Sequence, residues 1–300
     1  MKNREDHHLI SPTAKLVAYA RTKSDIPYSQ EISDAVGAES VSDVFSDGLL
    51  KEQLPKMLYY LSTMTEARYK AIDREIQKTG LKNVLELAAG VLPRGLIMTE
   101  DSSVKYVATD LAQMIEESET VLSGILEKRG QQRPNLYFKE VNALNLDQLL
   151  DAVKPFGNEP FVISCEGLVP YLTRDEQKIL AGNIVKLLSR NGGVWITSDI
   201  VDRENRKKTI AAFGEGFGEI LKSIMAKIVQ TTNSDTTENS FETPAEAEAF
   251  FGGLGFKIEK TPFYDDSYAF SSLNIIPDAQ IRADVADSFR QKYIWRMSVK

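Results

Sequence analysis

Between residues 82 and 199 short apolar runs alternate with amphipathic stretches, and no other feature of the chain constrains its fold as much. The apolar runs are NVLELA (83–88), KYVATD (105–110), LYFKEV (136–141), PFVISCE (160–166) and GVWITSD (193–199). Helix-like segments separate them, among them LAQMIEESETVLSGILEKRG, LDQLLDAVKPFG and RDEQKILAGNIVKLLSRNGG. Alternation at this spacing predicts a mostly parallel sheet with helices on both faces. Runs with few polar breaks suit strands covered on both sides. Two later segments, FKIEKTPFY and YAFSSLNII, read as a closing antiparallel edge pair. The expected class is therefore α/β, Rossmann-like and doubly wound, with seven strands.

Residues 1–80 read as helical and predict an N-terminal cap on a domain spanning 81–300. SPTAKLVAYARTKS offers Ser11 as a helix cap, and Gly80 closes a long helical pattern that Pro55 begins or breaks. Helical segments after residue 202 predict an insertion over about 202–245. It includes a polar loop at 230–241 and a capping-box start at Thr243–Glu246.

Composition removes several chemistries. With one cysteine, Cys165, there is no disulfide framework, and Cys165 reads as a small buried hydrophobe. The two histidines, His7 and His8, are adjacent near the start and leave little material for a histidine-based triad or metal site. A net charge of −7 argues against a nucleic-acid substrate. No apolar run suggests a signal peptide or a membrane span. The expected setting is cytoplasmic, with no metal and no membrane partner; oligomeric state is not readable.

The strand ends carry the chemistry. In open α/β sheets ligands bind at the carboxyl ends of the strands. Glu86 interrupts the first strand just before Ala88-Ala89-Gly90, where Gly90 lets a ligand approach the backbone. The phosphate-cradling G-x-G-x-x-G is incomplete, and a carboxylate there repels pyrophosphate but suits a cationic ligand such as S-adenosylmethionine, with its sulfonium and ammonium. Asp110, 20 residues after Gly90, stands where an acidic side chain accepts from ribose hydroxyls, although Asp is also a common helix cap. Asn142, after the third strand, suits an adenine edge. Glu166 and Gly167 end the fourth, followed by Tyr171.

LELAAGVLPRGL, YVATDL, VNALN and EGLVPYLTRDEQ together resemble class I S-adenosylmethionine-dependent methyltransferases, and more narrowly the leucine carboxyl methyltransferase-like family in its bacterial O-methyltransferase branch. The resemblance runs from about residue 11 to the end and is weakest over 202–240. It implies that Arg68 holds the methionyl carboxylate, Gly90 lines the first turn, Asp110 binds the ribose, Asn142 and Ala143 border the adenine, and Glu166 faces the amino end. The full expected cofactor set is Arg68, Glu86, Ala88, Gly90, Asp110, Leu111, Asn142, Ala143, Glu166 and Gly167. The chain departs from the family at the first turn, with Leu-Ala-Ala-Gly for Leu-Gly-Ala-Gly. Arg94 keeps the family's arginine, but the acidic residue near it is gone.

The implied reaction is methyl transfer to oxygen of a small molecule. A carboxylate acceptor needs no base at neutral pH, whereas a hydroxyl benefits from one. Tyr171, Tyr19 and Glu166 are the candidates. The acceptor pocket is expected between the cofactor crevice, the N-terminal helices and the insertion, where Phe213 and Phe217 share a helix face but also read as packing residues. Three alternatives remain: a nicotinamide-dependent oxidoreductase, a non-catalytic cofactor-binding protein, and a methyltransferase acting on a protein C-terminal carboxylate.

Overall fold

The computed structural model describes residues 12–38, 48–200, 202–214, 216–219, 221–222, 239–265 and 270–300. In chain order the elements are α1 (Pro12–Arg21), α2 (Ser29–Ala35), α3 (Gly48–Thr79), β1 (Asn83–Leu87), α4 (Arg94–Met98), β2 (Lys105–Asp110), α5 (Ala112–Lys128), β3 (Leu136–Glu140), α6 (Leu146–Ala152), β4 (Phe161–Cys165), α7 (Arg174–Asn191), β5 (Gly193–Thr197), α8 (Arg203–Ala212), α9 (Pro244–Gly253), β6 (Phe256–Pro262), α10 (Ala279–Arg290) and β7 (Tyr293–Val299). They form a seven-stranded sheet in the order β3-β2-β1-β4-β5-β7-β6. Strands β1 to β5 are parallel and β7 runs antiparallel between β5 and β6.

The five parallel strands are the five apolar runs of the sequence. Successive residues feed opposite faces. Leu85, Ile163 and Trp195 pack with α7 and α9 through Leu180, Ala181 and Phe251. Their neighbours Val84, Val162 and Ile196 pack with α3 and α10 through Ala67, Ala71, Ile72 and Phe289. The N-terminal region is thus tied into the core: α3 is one of the helices that cover the sheet. Gly80 ends it at φ 68°, its N–H donating to the Gln77 carbonyl at 3.1 Å.

Two expectations are corrected. The last strand is YIWRMSV (β7), and the described part of YAFSSLNII, from Phe270 on, supplies none: Ser271–Ile275 form a short 3₁₀ turn. Glu66 on α3 explains the turn. One carboxylate oxygen accepts the Ser271 N–H at 2.9 Å and hydroxyl at 2.7 Å, and the other accepts the Ser272 N–H at 2.7 Å and its hydroxyl. Backbone donors held by a side chain are lost to a strand ladder. Pro55 neither begins nor ends a helix; it lies inside α3 and is exposed. Ser11 lies outside the described residues, as does most of the loop at 230–241.

Candidate functional site

The site forms where β1, β2, β4 and β5 end beneath α1 and α3. Its deepest part is a buried ion cluster built around Arg94, whose side chain is 0% exposed. Arg94 donates to Glu86, to Asp73 at 2.5 Å and to Glu166 at 3.0 Å, and its guanidinium lies 4.5 Å from the centre of the Tyr69 ring. The Tyr106 hydroxyl and, at 3.3 Å, the Ser164 hydroxyl also donate to Glu86. Strand register places them: Glu86 sits beside Ser164 on β4 and Ala108 on β2, with Tyr106 two residues before on the same face. Gly95 lets α4 close onto this arrangement, because a Cβ there would come within 3.1 Å of the Tyr106 ring and 2.9 Å of Leu136.

Arg68 lies 3.7 Å from Glu166, and Arg21, from α1, is buried in the same field. Three guanidinium groups (Arg21, Arg68, Arg94) thus meet three carboxylates (Asp73, Glu86, Glu166). Burial raises Glu166, but Arg68, Arg94 and Arg21 outweigh it and hold the carboxyl below its ordinary range. Burial, with Glu166 and Asp73 adding to it, pushes Glu86 up to about 7 against the pull of Arg94. Glu86 was expected to face a ligand directly. It is instead 1% exposed and turned to Arg94 and Tyr106, so it supports Glu166 from behind.

The turn after β1 is tightly organised. Ala88 and Gly90 both have left-handed backbones, at φ 52° and 51°. Asp110 accepts the Gly90 N–H at 2.9 Å and the Leu111 N–H at 2.8 Å, and burial raises its pKa against those two bonds. It does not cap α5: Leu111 is the capping residue, with no side-chain bond. Leu111 is 48% exposed, one of two large apolar side chains in that state among the described residues. Asn142 is also exposed, and its side-chain oxygen accepts from the Leu144 N–H at 3.0 Å. Ala143 is partly exposed, and its carbonyl accepts from Asn183 at 3.3 Å.

After β4, Gly167 turns the chain at φ 88° and Asp199 from the end of β5 holds the turn. Asp199 accepts the N–H groups of Gly167, Leu168 and Val169 at 2.7, 2.8 and 3.1 Å. Asp199 had no role in the sequence reading, yet it ends a strand just as Asp110 does; the same rule finds both. Cys165 is buried, with burial and Asp199 raising its thiol, which accords with a packing residue.

A cavity opens beside Glu166, between α3, the ends of β4 and β5, α8 and the start of β7. Met64, Arg68, Asp199, Arg206, Lys292 and Trp295 are among its walls. Burial raises the Tyr171 hydroxyl, which opposes a base role. Tyr19 packs with the cluster of Val91, Leu122 and Val121. Phe213 and Phe217 are buried against Tyr60, with ring centres 5.1 Å apart, and are packing residues.

No protein-family model matches the sequence, and no curated protein matches it. Among solved structures, the chain is similar to the "putative methyltransferase" of Thermobifida fusca YX. That likeness covers 98% of this chain and 96% of the other, at 13% identity and a TM-score of 0.53. The fold is the Rossmann-like methyltransferase fold. An O-methyltransferase family protein from Burkholderia thailandensis is also similar, over 99% of this chain and 74% of that one, at 12% identity and a TM-score of 0.44. So is the methyltransferase domain of bacterial CtHen1-C, over 78% and 97%, at 10% identity and a TM-score of 0.46. Within this fold, the site just described lies at the strand carboxyl ends, where α/β sheets bind ligands. Among the described residues no helix is long and apolar enough to cross a membrane, and no cluster of His, Cys, Asp and Glu is arranged to hold a metal.

Proposed function

We propose that the protein is an S-adenosylmethionine-dependent methyltransferase that methylates an oxygen of a small molecule. The observation that carries this reading is the group at the ends of β1 and β2. A half-buried carboxylate, Asp110, stands beside an exposed leucine, Leu111, next to a turn that has an open face at Gly90, where an added Cβ would meet nothing within 4 Å. A ribose needs the first, an adenine ring the second, and close backbone approach the third. Residues of this chain fit the rest of the cofactor. Arg68 keeps a buried Nε without a hydrogen-bond partner, available to a methionyl carboxylate, and Glu166 stays ionised for an ammonium. Asn142 and Ala143 border the adenine side.

When bound, the cofactor supplies an electrophilic methyl group on a good leaving sulfur. The chain has to align the acceptor oxygen with it and exclude water. The cap helices α1 and α3 serve the second need by closing over Glu166.

Isothermal titration calorimetry tests the reading. S-adenosylhomocysteine and S-adenosylmethionine are expected to bind, and NAD to bind at least a hundredfold more weakly, because the first turn lacks the complete G-x-G-x-x-G that cradles a pyrophosphate. Tighter binding of NAD overturns the reading in favour of an oxidoreductase. The acceptor is proposed to be a small molecule and not a nucleic acid; methyl labelling of RNA or DNA in a transfer assay refutes that part, and labelling of C-terminal peptides replaces the small acceptor with a protein one.

A further inference from the structure

The cavity beside Glu166 holds an unusual amine. Lys292 lies between α10 and β7, and its backbone is fixed by the Phe263 N–H on its carbonyl at 2.8 Å and by its own N–H on Phe289 at 3.3 Å. Its side chain lines the cavity and its Nζ donates to the Met64 sulfur at 3.5 Å. Among the described residues it forms no ion pair. The charged groups that act on it come from two elements, α3 and α8. Arg68 on α3 and Arg206 on α8 repel an ammonium, and Asp202 at the start of α8 attracts it without reaching it. Asp202 is engaged in capping α8, accepting from the Asn205 N–H at 2.8 Å and the Asn205 amide at 2.9 Å. Asp199, on the same cavity, is held by three backbone N–H groups. Burial first, then Arg68 and Arg206, bring Lys292 down to about 7.

An amine so placed has a lone pair and no donor to satisfy it, since a thioether only accepts. A hydroxyl supplies that donor. Its oxygen would then face two guanidinium groups, which stabilise negative charge as it develops. A carboxylate is already ionised and offers the amine no proton. Met64, Phe263, Tyr293 and Trp295 give the cavity an apolar and aromatic side, and Ser198 and Asn205 add neutral polar groups.

We propose that Lys292 is the proton acceptor for a phenol-like hydroxyl seated in this cavity, with Arg68 and Arg206 facing the oxygen as it loses its proton. The O–H bond breaks toward Nζ and its electron pair stays on oxygen; a bound methyl donor would take that pair at its methyl carbon as the carbon–sulfur bond breaks and leaves its own pair on the neutral thioether sulfur. The ammonium then returns its proton to water. This deepens the methyltransferase reading and rests on it for the transfer step, but proton capture itself depends only on the cavity.

The test uses 4-nitrophenol as a chromogenic probe with the full chain, with and without S-adenosylhomocysteine, at a pH of about 7, where Lys292 still carries a lone pair, and the phenolate of the free probe in the same buffer is subtracted. The bound probe is expected to show the phenolate band with wild type, and at least tenfold less of it with Lys292→Met. Equal S-adenosylhomocysteine affinity in the two proteins reports an intact fold; if Lys292→Met does not fold, Lys292→Gln carries the same readout. Absence of probe binding, or a phenolate band that survives both substitutions, overturns the proposal. So does 4-nitrobenzoate binding that exceeds 4-nitrophenol binding and ignores both substitutions. Loss of S-adenosylhomocysteine binding in wild type defeats the methyltransferase reading instead, and leaves the phenolate band as a separate result on the cavity.

Discussion

Two charged regions lie side by side in this protein and differ in how their charges are met. Around Arg94, three guanidinium groups face three carboxylates, and both Glu86 and Glu166 have cationic partners in the interior. Around Lys292, two guanidinium groups and an amine share a cavity whose carboxylates, Asp199 and Asp202, are committed to backbone or capping bonds. A matched buried cluster chiefly holds the fold together; an unmatched one keeps capacity for something else. Substitutions at the two regions should therefore differ in sign.

The largest effect is expected from Arg94→Met. Removing one member of a buried ionic network leaves the others uncompensated, at a cost of about 3–5 kcal/mol. Glu86 and Asp73, already raised by burial, would rise further without Arg94, and Glu166 would lose one of the cations that hold it down. The folded state would bind protons that the unfolded state releases, so the loss should shrink in mild acid and grow above neutrality. Urea unfolding at several pH values measures it. A loss under about 1 kcal/mol at neutral pH, well short of that range, would mean that the cluster is not the keystone its geometry implies.

Lys292→Met should act in the opposite direction. The folded pKa lies at about 7 against an ordinary 10.5. Between those values the native state binds fewer protons than the unfolded one, so wild-type stability rises with pH, by at most about 1.4 kcal/mol per unit. The variant should lose that slope and be more stable than wild type near neutrality. Unchanged pH dependence would show that Lys292 is an ordinary ammonium and that the two regions do not differ as described.

The contrast between the regions also explains what the sequence disclosed. The five parallel strands were legible because each is a short, mostly apolar run between helix-like segments. Glu86, Asp110 and Glu166 were legible because carboxylates at strand ends break such runs. β7 was not: YIWRMSV follows an amphipathic helix closely and carries Arg296 on an edge-side register, while YAFSSLNII mimics a strand until Glu66, 205 residues away, takes the Ser271 backbone donor. Missing β7 meant missing the approach to it, and Lys292 with it. Arg21, Tyr69 and Asp73 were hidden for another reason: they belong to helices whose inward face only the tertiary fold defines.

On the cofactor side, Asp110→Ala should weaken S-adenosylhomocysteine binding by roughly ten- to hundredfold, matching the ~1.5–3 kcal/mol of hydrogen bonds to a charged group. The change removes the ribose acceptor proposed above and also frees the Gly90 N–H. Asp110→Asn separates the two contributions, since its amide oxygen can still accept one N–H. Calorimetry on both variants decides. Wild-type affinity in a folded Asp110→Ala protein would reduce Asp110 to a brace for the turn.

The smallest effect concerns Ala88, where the chain departs from the glycine of the family it resembles. Its φ of 52° places a Cβ in the left-handed region, which costs an L residue roughly 1–2 kcal/mol. Glycine removes that cost but gives back about 0.5–1 kcal/mol in unfolded-chain entropy. Ala88→Gly is thus expected to stabilise by about 0–1.5 kcal/mol. The neighbouring Ala89 N–H stays on the Thr109 carbonyl at 2.9 Å, so the turn keeps its anchor to β2. Chemical denaturation measures the gain, and S-adenosylhomocysteine affinity should change by less than about tenfold, the equivalent of about 1.4 kcal/mol. A destabilised variant would mean that the Ala88 methyl makes packing contacts worth more than its strain. The turn would then be held by side-chain packing as well as by Asp110, and the matched region would extend from the Arg94 cluster to the cofactor's edge.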